Sequence, residues 1–340
     1  MSSVSRTIRT VAVIAVLAVV GAGFVLSHGA APIATVIQAR ANRSLGVSDL
    51  GRPAWFRMSL VDDSVSFYEA EPPAKPPVIA AAGGILVDID TGAILWQHDD
   101  HAQLPPASTT KILTALVALE NFSPDEVVTI TAASLHQAWD ETRMGIAAGQ
   151  RYTVQELLTG MLLVSGNDAA TAIAQDTVGL ERFVAAMNAQ AAALGLHDSH
   201  FTSPVGLQDA SHHASAYDLA VISAAAIRHF PLFAQIVGMH DAILSASAAH
   251  PEFDLHSINQ LLSLYPYAVG IKPGWTGDAG NCLVGMAVRS GHRLISVVLN
   301  APYDFHQSRV LLDWGFTREG LPTTLPTPTP TPKPAPTAHG

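Results

Sequence analysis

Three short clusters in this 340-residue chain bring together side chains that could move an acyl group. The first is Ser108-Thr109-Thr110-Lys111, at the start of a helix predicted over residues 107–120. Residues three apart share a helix face, so the Ser108 hydroxyl and the Lys111 amine can meet. A serine is a weak nucleophile until a neighbouring base takes its proton. A lysine serves as that base when desolvation or a second cation lowers its pKa. The start of a helix adds free backbone N–H groups and partial positive charge, which suit a developing oxyanion. On its own the spacing also fits a capping serine followed by a surface lysine. The second cluster, Ser165-Gly166-Asn167, lies between two predicted helices. There a hydroxyl can pass a proton and an amide can bind an amide, although Ser, Gly and Asn also make ordinary turns and caps. The third, Lys272-Pro273-Gly274-Trp275-Thr276, enters the last predicted strands. Lys272 can set the charge around the nucleophile, and Gly274 lets a substrate approach the backbone closely. Trp275 is open between lining a cleft and packing at its rim.

The elements that must position these clusters follow from periodicity. Residues 80–89 and 93–98 read as a hairpin around Asp90-Thr91-Gly92. Helices are predicted over 107–120, 154–163, 169–178, 181–194 and 217–229, and strands over 281–287 and 294–300. Strands at both ends with helices between them predict an α+β fold, an antiparallel sheet packed against a helical cluster. Asp218 reads as a cap or hydrogen-bond acceptor, Cys282 as a small core residue and His212-His213 as loop residues without metal-ligand spacing.

Composition narrows the classes. With 49% hydrophobic residues the chain has ample core material, and a net charge of −10 with only 18 Lys and Arg argues against nucleic acid. The single cysteine excludes an internal disulfide and a Cys-rich zinc site. Arg6 and Arg9 precede an uncharged apolar run over 10–26, about 26 Å long as a helix, so residues 1–27 read as a membrane anchor or a signal peptide. Either way the rest is exported. Residues 28–77 read as a proline-containing extracytoplasmic stalk, 78–316 as the catalytic domain and 317–340 as a disordered Pro/Thr-rich tail.

The order Ser-x-x-Lys, Ser-x-Asn, Lys-x-Gly is that of penicillin-binding proteins and class A β-lactamases. The stretches PPASTTKILTALVALE, TVQELLTGMLLVSGNDAATAIA and GIKPGWTGDAGNCLVGMAVRSGHRLISVVLNAP resemble the serine D-alanyl-D-alanine carboxypeptidases, the low-molecular-weight penicillin-binding proteins, in colinear order over roughly residues 80–316. The resemblance implies the penicillin-binding/β-lactamase-like transpeptidase fold. It also implies cleavage of terminal D-alanine from peptidoglycan stem peptides, with β-lactams as covalent inhibitors and no metal or cofactor. Carried onto this chain, it makes Ser108 the acylated nucleophile, Lys111 its base and Ser165 a proton shuttle. Asn167 would hold the substrate amide, Lys272 would polarise Ser165 and attract a carboxylate, and the Ser108 and Trp275 N–H groups would form the oxyanion hole. One departure stands out. Where the family usually has Lys-Thr-Gly, this chain has Pro273, which removes a hydroxyl that helps to bind the substrate carboxylate. Losing such a hydrogen bond costs roughly 1.5–3 kcal/mol. The Glu-x-x-Leu-Asn pattern of class A β-lactamases is absent, since the corresponding stretch reads HFTSPVGLQD. A peptidoglycan endopeptidase, and an impaired penicillin-binding fold that serves as a wall-binding module, remain as alternatives.

Overall fold

The computed structural model describes residues 65–69, 75–207 and 209–324. Among them a six-stranded sheet is framed by β1 (Tyr68–Glu69), β2 (Gly83–Asp88) and β3 (Ala93–His98) at the start of the chain. A 3-10 turn, Ala107–Thr110, leads into α1 (Lys111–Asn121). The small hairpin of β4 (Val127–Thr129) and β5 (Arg151–Thr153) brackets the loop 130–150 and precedes α2 (Val154–Leu163), α3 (Asn167–Gln175) and α4 (Leu180–Ala193). Then come α5 (Ala216–His229), α6 (Pro231–Val237), a second small hairpin of β6 (Asp241–Leu244) and β7 (Phe253–His256), and one turn of helix, α7 (Leu261–Leu264). The chain returns to the sheet with β8 (Ala268–Thr276), β9 (Gly280–Arg289) and β10 (His292–Leu299), and ends on α8 (Asp304–Arg318).

Strand order is β1-β3-β2-β10-β9-β8, antiparallel except for the parallel pair β1–β3. β2 is buried along its whole length, so the first predicted strand is central and covered on both faces. One face carries the larger core, from Ile85 and Val87 to Leu116, Leu158, Ile173 and Ile222 of the helices. The other face packs Leu86, Leu283 and Val298 under Leu311, Leu312 and Phe316 of α8. Nine consecutive residues of α1, 111–119, are buried, as expected for a helix apolar on all sides that runs through the middle of a helical layer. The α2 start is fixed by a reciprocal pair in which Thr153 accepts from the Glu156 N–H and Glu156 accepts from the Thr153 N–H.

Three boundaries differ from the sequence reading. The helix predicted from residue 107 opens as a 3-10 turn and becomes α-helical only at Lys111, which places Ser108 in the turn. Residues 65–69, inside the segment read as stalk, pack on the folded body: Val65 is buried, Phe67 meets the Tyr217 ring edge-on at 5.7 Å, and the Tyr68 N–H donates to Gly92 (2.9 Å). Five residues are too few to show a period. At the other end α8, absent from the sequence reading, runs to Arg318, and Thr324 hydrogen-bonds Asp313, so the folded body extends past residue 316. The expected anchor or signal peptide (1–27) lies outside the described residues, as do most of the stalk and the tail beyond 324.

Candidate active site

Ser108 and Lys111 meet as the spacing requires: the Lys111 Nζ donates to the Ser108 Oγ at 2.8 Å. The amine is buried and also bonds the Asn167 Oδ1 (2.7 Å) and the Val205 carbonyl (3.1 Å). Burial, with Lys272 nearby, holds its pKa well below the usual lysine range, against the opposing pull of Glu141 and Asp168. Lys272 is equally buried, which pushes its pKa down to about 7, and its Nζ bonds the Pro273 carbonyl (3.1 Å). The first and second clusters are therefore joined directly through Lys111, and the third reaches them as a neighbouring charge.

The second cluster is a strained turn between α2 and α3. Ser165 has φ +59°, a left-handed conformation uncommon for serine, and the Thr142 hydroxyl anchors its carbonyl at 2.8 Å. Asn167 opens α3.

The third cluster lies on β8, the outer strand of the sheet, against the Ser108 turn. A Cβ on Gly274 would stand 2.7 Å from the Ser108 N, so only glycine lets strand and turn approach this closely. Gly206 does the same from the far side, where with φ +83° a Cβ would fall 1.9 Å from the Ala107 carbonyl. The register of β8 also explains why Pro273 is tolerated. The Ala301 N–H donates to the Asn281 carbonyl (2.8 Å), so the Asn281 peptide groups face β10. Its partner on β8, Trp275, must then turn its own peptide groups outward, and so must Pro273 two residues earlier. The missing N–H belongs to the free edge, and no ladder bond is lost. The Trp275 N–H faces the cleft beside the Ser108 N. A cavity of about 270 Å³ opens there, lined by Ser108, Ser165, Gly274, Trp275, Asn281 and Asp304 among others. The Trp275 side chain stands 67% exposed at its rim.

The family follows from comparison with known proteins. A sequence model of the D-alanyl-D-alanine carboxypeptidase peptidases matches residues 70–303. The chain is 38% identical over 240 residues to D-alanyl-D-alanine carboxypeptidase DacB2 of Mycobacterium tuberculosis, covering 68% of this chain and 81% of that protein. It is 32% identical to DacF of Bacillus subtilis, covering 70% of this chain and 62% of the relative. Among solved structures, a D-alanyl-D-alanine carboxypeptidase from Mycobacterium tuberculosis superposes with a TM-score of 0.68 at 36% identity, covering 73% of this chain and 96% of that one. The Streptomyces K15 DD-transpeptidase superposes with a TM-score of 0.68 at 30% identity, covering 72% and 100%. The chain belongs to the D-alanyl-D-alanine carboxypeptidase family.

In this carboxypeptidase-family chain several residues that shape the site were not visible in the sequence. Glu141 accepts from the Asn167 Nδ2 (2.7 Å) with one oxygen and from the Ala138 N–H (2.8 Å) with the other. Because a carboxylate only accepts, the Asn167 amide is fixed with its oxygen towards Lys111. Asp168, buried at the α3 start, accepts from the N–H groups of Met144 (2.7 Å), Gly145 (2.7 Å) and Ile146 (3.2 Å), and so folds the loop that carries Glu141 and Thr142. His212 is a brace: its Nδ1 accepts from the Thr202 N–H (3.0 Å), which leaves its Nε2–H to donate to Thr110 (2.9 Å), just after the nucleophile. Burial pushes its pKa down to about 4, so it stays neutral. Asp218 is structural, accepting from the Asp198 N–H and the Ser199 hydroxyl. Cys282 is buried in β9, and burial pushes its thiol up to about 12.

Proposed function

We propose that Ser108 is the nucleophile of a serine-type D-alanyl-D-alanine carboxypeptidase that shortens peptidoglycan stem peptides through an acyl-enzyme. The observation that carries this reading is the 2.8 Å contact between the Ser108 Oγ and a buried Lys111 whose pKa is depressed. A neutral amine at that distance can take the hydroxyl proton as the Oγ attacks the penultimate D-alanine carbonyl. The Ser108 and Trp275 N–H groups stabilise the oxyanion. Ser165 passes the proton to the departing amine, the C–N bond breaks, and water then hydrolyses the ester. Asn167, with one Nδ2 hydrogen held by Glu141, offers the other to a substrate carbonyl. The 1–27 segment gives the enzyme an export signal or membrane anchor, which places the site outside the cytoplasmic membrane beside its substrate.

The test is D-alanine release from diacetyl-Lys-D-Ala-D-Ala by the full chain, with Ser108→Ala alongside. Release that disappears in Ser108→Ala supports the reading. Release unchanged by that substitution overturns it, and so does the absence of release together with the absence of a penicillin adduct on Ser108. β-Lactams should form an ester on the same oxygen, and a mass adduct of penicillin located on Ser108 is expected.

A further inference from the structure

The reaction at Ser108 leaves open which leaving group departs, and the charges lining the cavity bear on that. Of the side chains that line it, one is ionisable, Asp304, at the start of α8. The residue that would offer a hydroxyl on β8 is Pro273, which has no donor in either its side chain or its backbone. The other polar side chains of the lining are neutral: the Ser108, Thr142 and Ser165 hydroxyls and the Asn281 amide.

Two cations lie nearby, both buried and neither among the residues that line the cavity. The Lys111 Nζ bonds Ser108, Asn167 and the Val205 carbonyl, and the Lys272 Nζ bonds the Pro273 carbonyl. Burial leaves Lys272 only partly charged near neutral pH, and it raises the Asp304 carboxyl to about 6, which keeps that group ionised at neutral pH and above. A peptide ending in a free carboxylate would therefore bring an anion into a small cavity whose lining contains a carboxylate and neither arginine nor lysine. Like charges brought into one cavity disfavour binding, and a partly desolvated setting magnifies the effect. A primary amide removes the repulsion, and its N–H groups can donate to a carboxylate.

We propose that this cavity selects stem peptides whose leaving residue ends in an amide rather than a free carboxylate, with Asp304 as the specificity-determining residue. The inference rests on the acyl-transfer reading of Ser108 given above. The chemistry is unchanged: the Ser108 Oγ forms the ester, the C–N bond to the leaving residue breaks, and the proton taken by Lys111 returns to the departing nitrogen. The leaving group is then an amino-acid amide.

Two peptides that differ in one charge decide the matter: diacetyl-Lys-D-Ala-D-Ala and the same peptide ending in D-alaninamide, each turned over by the full chain and followed by mass spectrometry. The expected result is a kcat/KM about tenfold or more higher for the amide. In Asp304→Asn the ratio of acid to amide turnover should rise about tenfold, with fluorescent penicillin acylation reporting that the site is still folded. Wild-type turnover of the acid equal to or faster than that of the amide overturns the preference while leaving the carboxypeptidase reading intact. An unchanged ratio in a folded Asp304→Asn removes Asp304 from the role. Turnover of neither peptide sinks the reading of the site, and the preference with it.

Discussion

Lys111 can act as a base only when neutral, so activity is present above its folded pKa and falls as pH drops through it. Glu141 acts on that balance from one bond away, through Asn167, and favours the ammonium. Removing its charge lowers the Lys111 pKa further. In Glu141→Gln the acidic limb of the pH profile for penicillin acylation should move to lower pH by roughly half a unit or more. A purely structural role would lower the rate at every pH and leave the limb in place. Ser108, Lys111, Ser165, Asn167 and Lys272 could be singled out from sequence because local spacing and colinear order marked them. Glu141 could not. It lies 26 residues before Asn167 in a loop without period, and it enters the site only because Asp168 folds that loop back.

At the scale of elements, the site is an agreement between a turn, a strand and a loop. Gly274→Ala would push a methyl to 2.7 Å from the Ser108 N and force β8 away from the turn. Displacements of this size misplace reacting groups, so the acylation rate should fall by roughly tenfold to a hundredfold with little change in Tm. A rate within twofold of wild type would show that the turn yields freely. Asp168→Ala tests the loop. It strands the buried N–H groups of Met144 and Ile146 and frees that of the exposed Gly145, and urea unfolding should show a loss of about 3 kcal/mol. The long periodic helices and the β2–β3 hairpin were readable from sequence because their apolar spacing is regular. The three-residue strands β4 and β5 are too short to show alternation. In α8 the buried face runs through Asp304, Ser308, Leu311, Leu312, Gly315 and Phe316 at helical spacing, but half of these are not large apolar residues, so hydrophobicity alone does not trace the stripe.

For the whole molecule, the folded body begins earlier than proline density suggests. A chain starting at residue 78 loses Val65, Phe67 and the β1 pairing, and should melt lower than one starting at residue 64. Burial of Val65 alone is worth about 1.5–3 kcal/mol when complete. Equal Tm values for the two chains would show that residues 65–69 rest on the surface without holding it.

The position of Pro273 also bears on a hazard common to open sheets. An outermost strand with unsatisfied donors and acceptors is a template for a second copy of the chain, and proteins blunt such borders with short strands, charge or proline. Here one border is β1, two residues long, and the other is β8, with a proline at its centre and the Ser108 turn lying against it. A substitution that restores a threonine at 273 returns a hydrogen-bond donor to that border, at a position which the fold keeps buried with the Ser108 turn lying against the next residue. The turn then takes over the protective part that the proline played, and light scattering of Pro273→Thr at rising concentration should match wild type; growth of larger species would show that the turn does not shield the border.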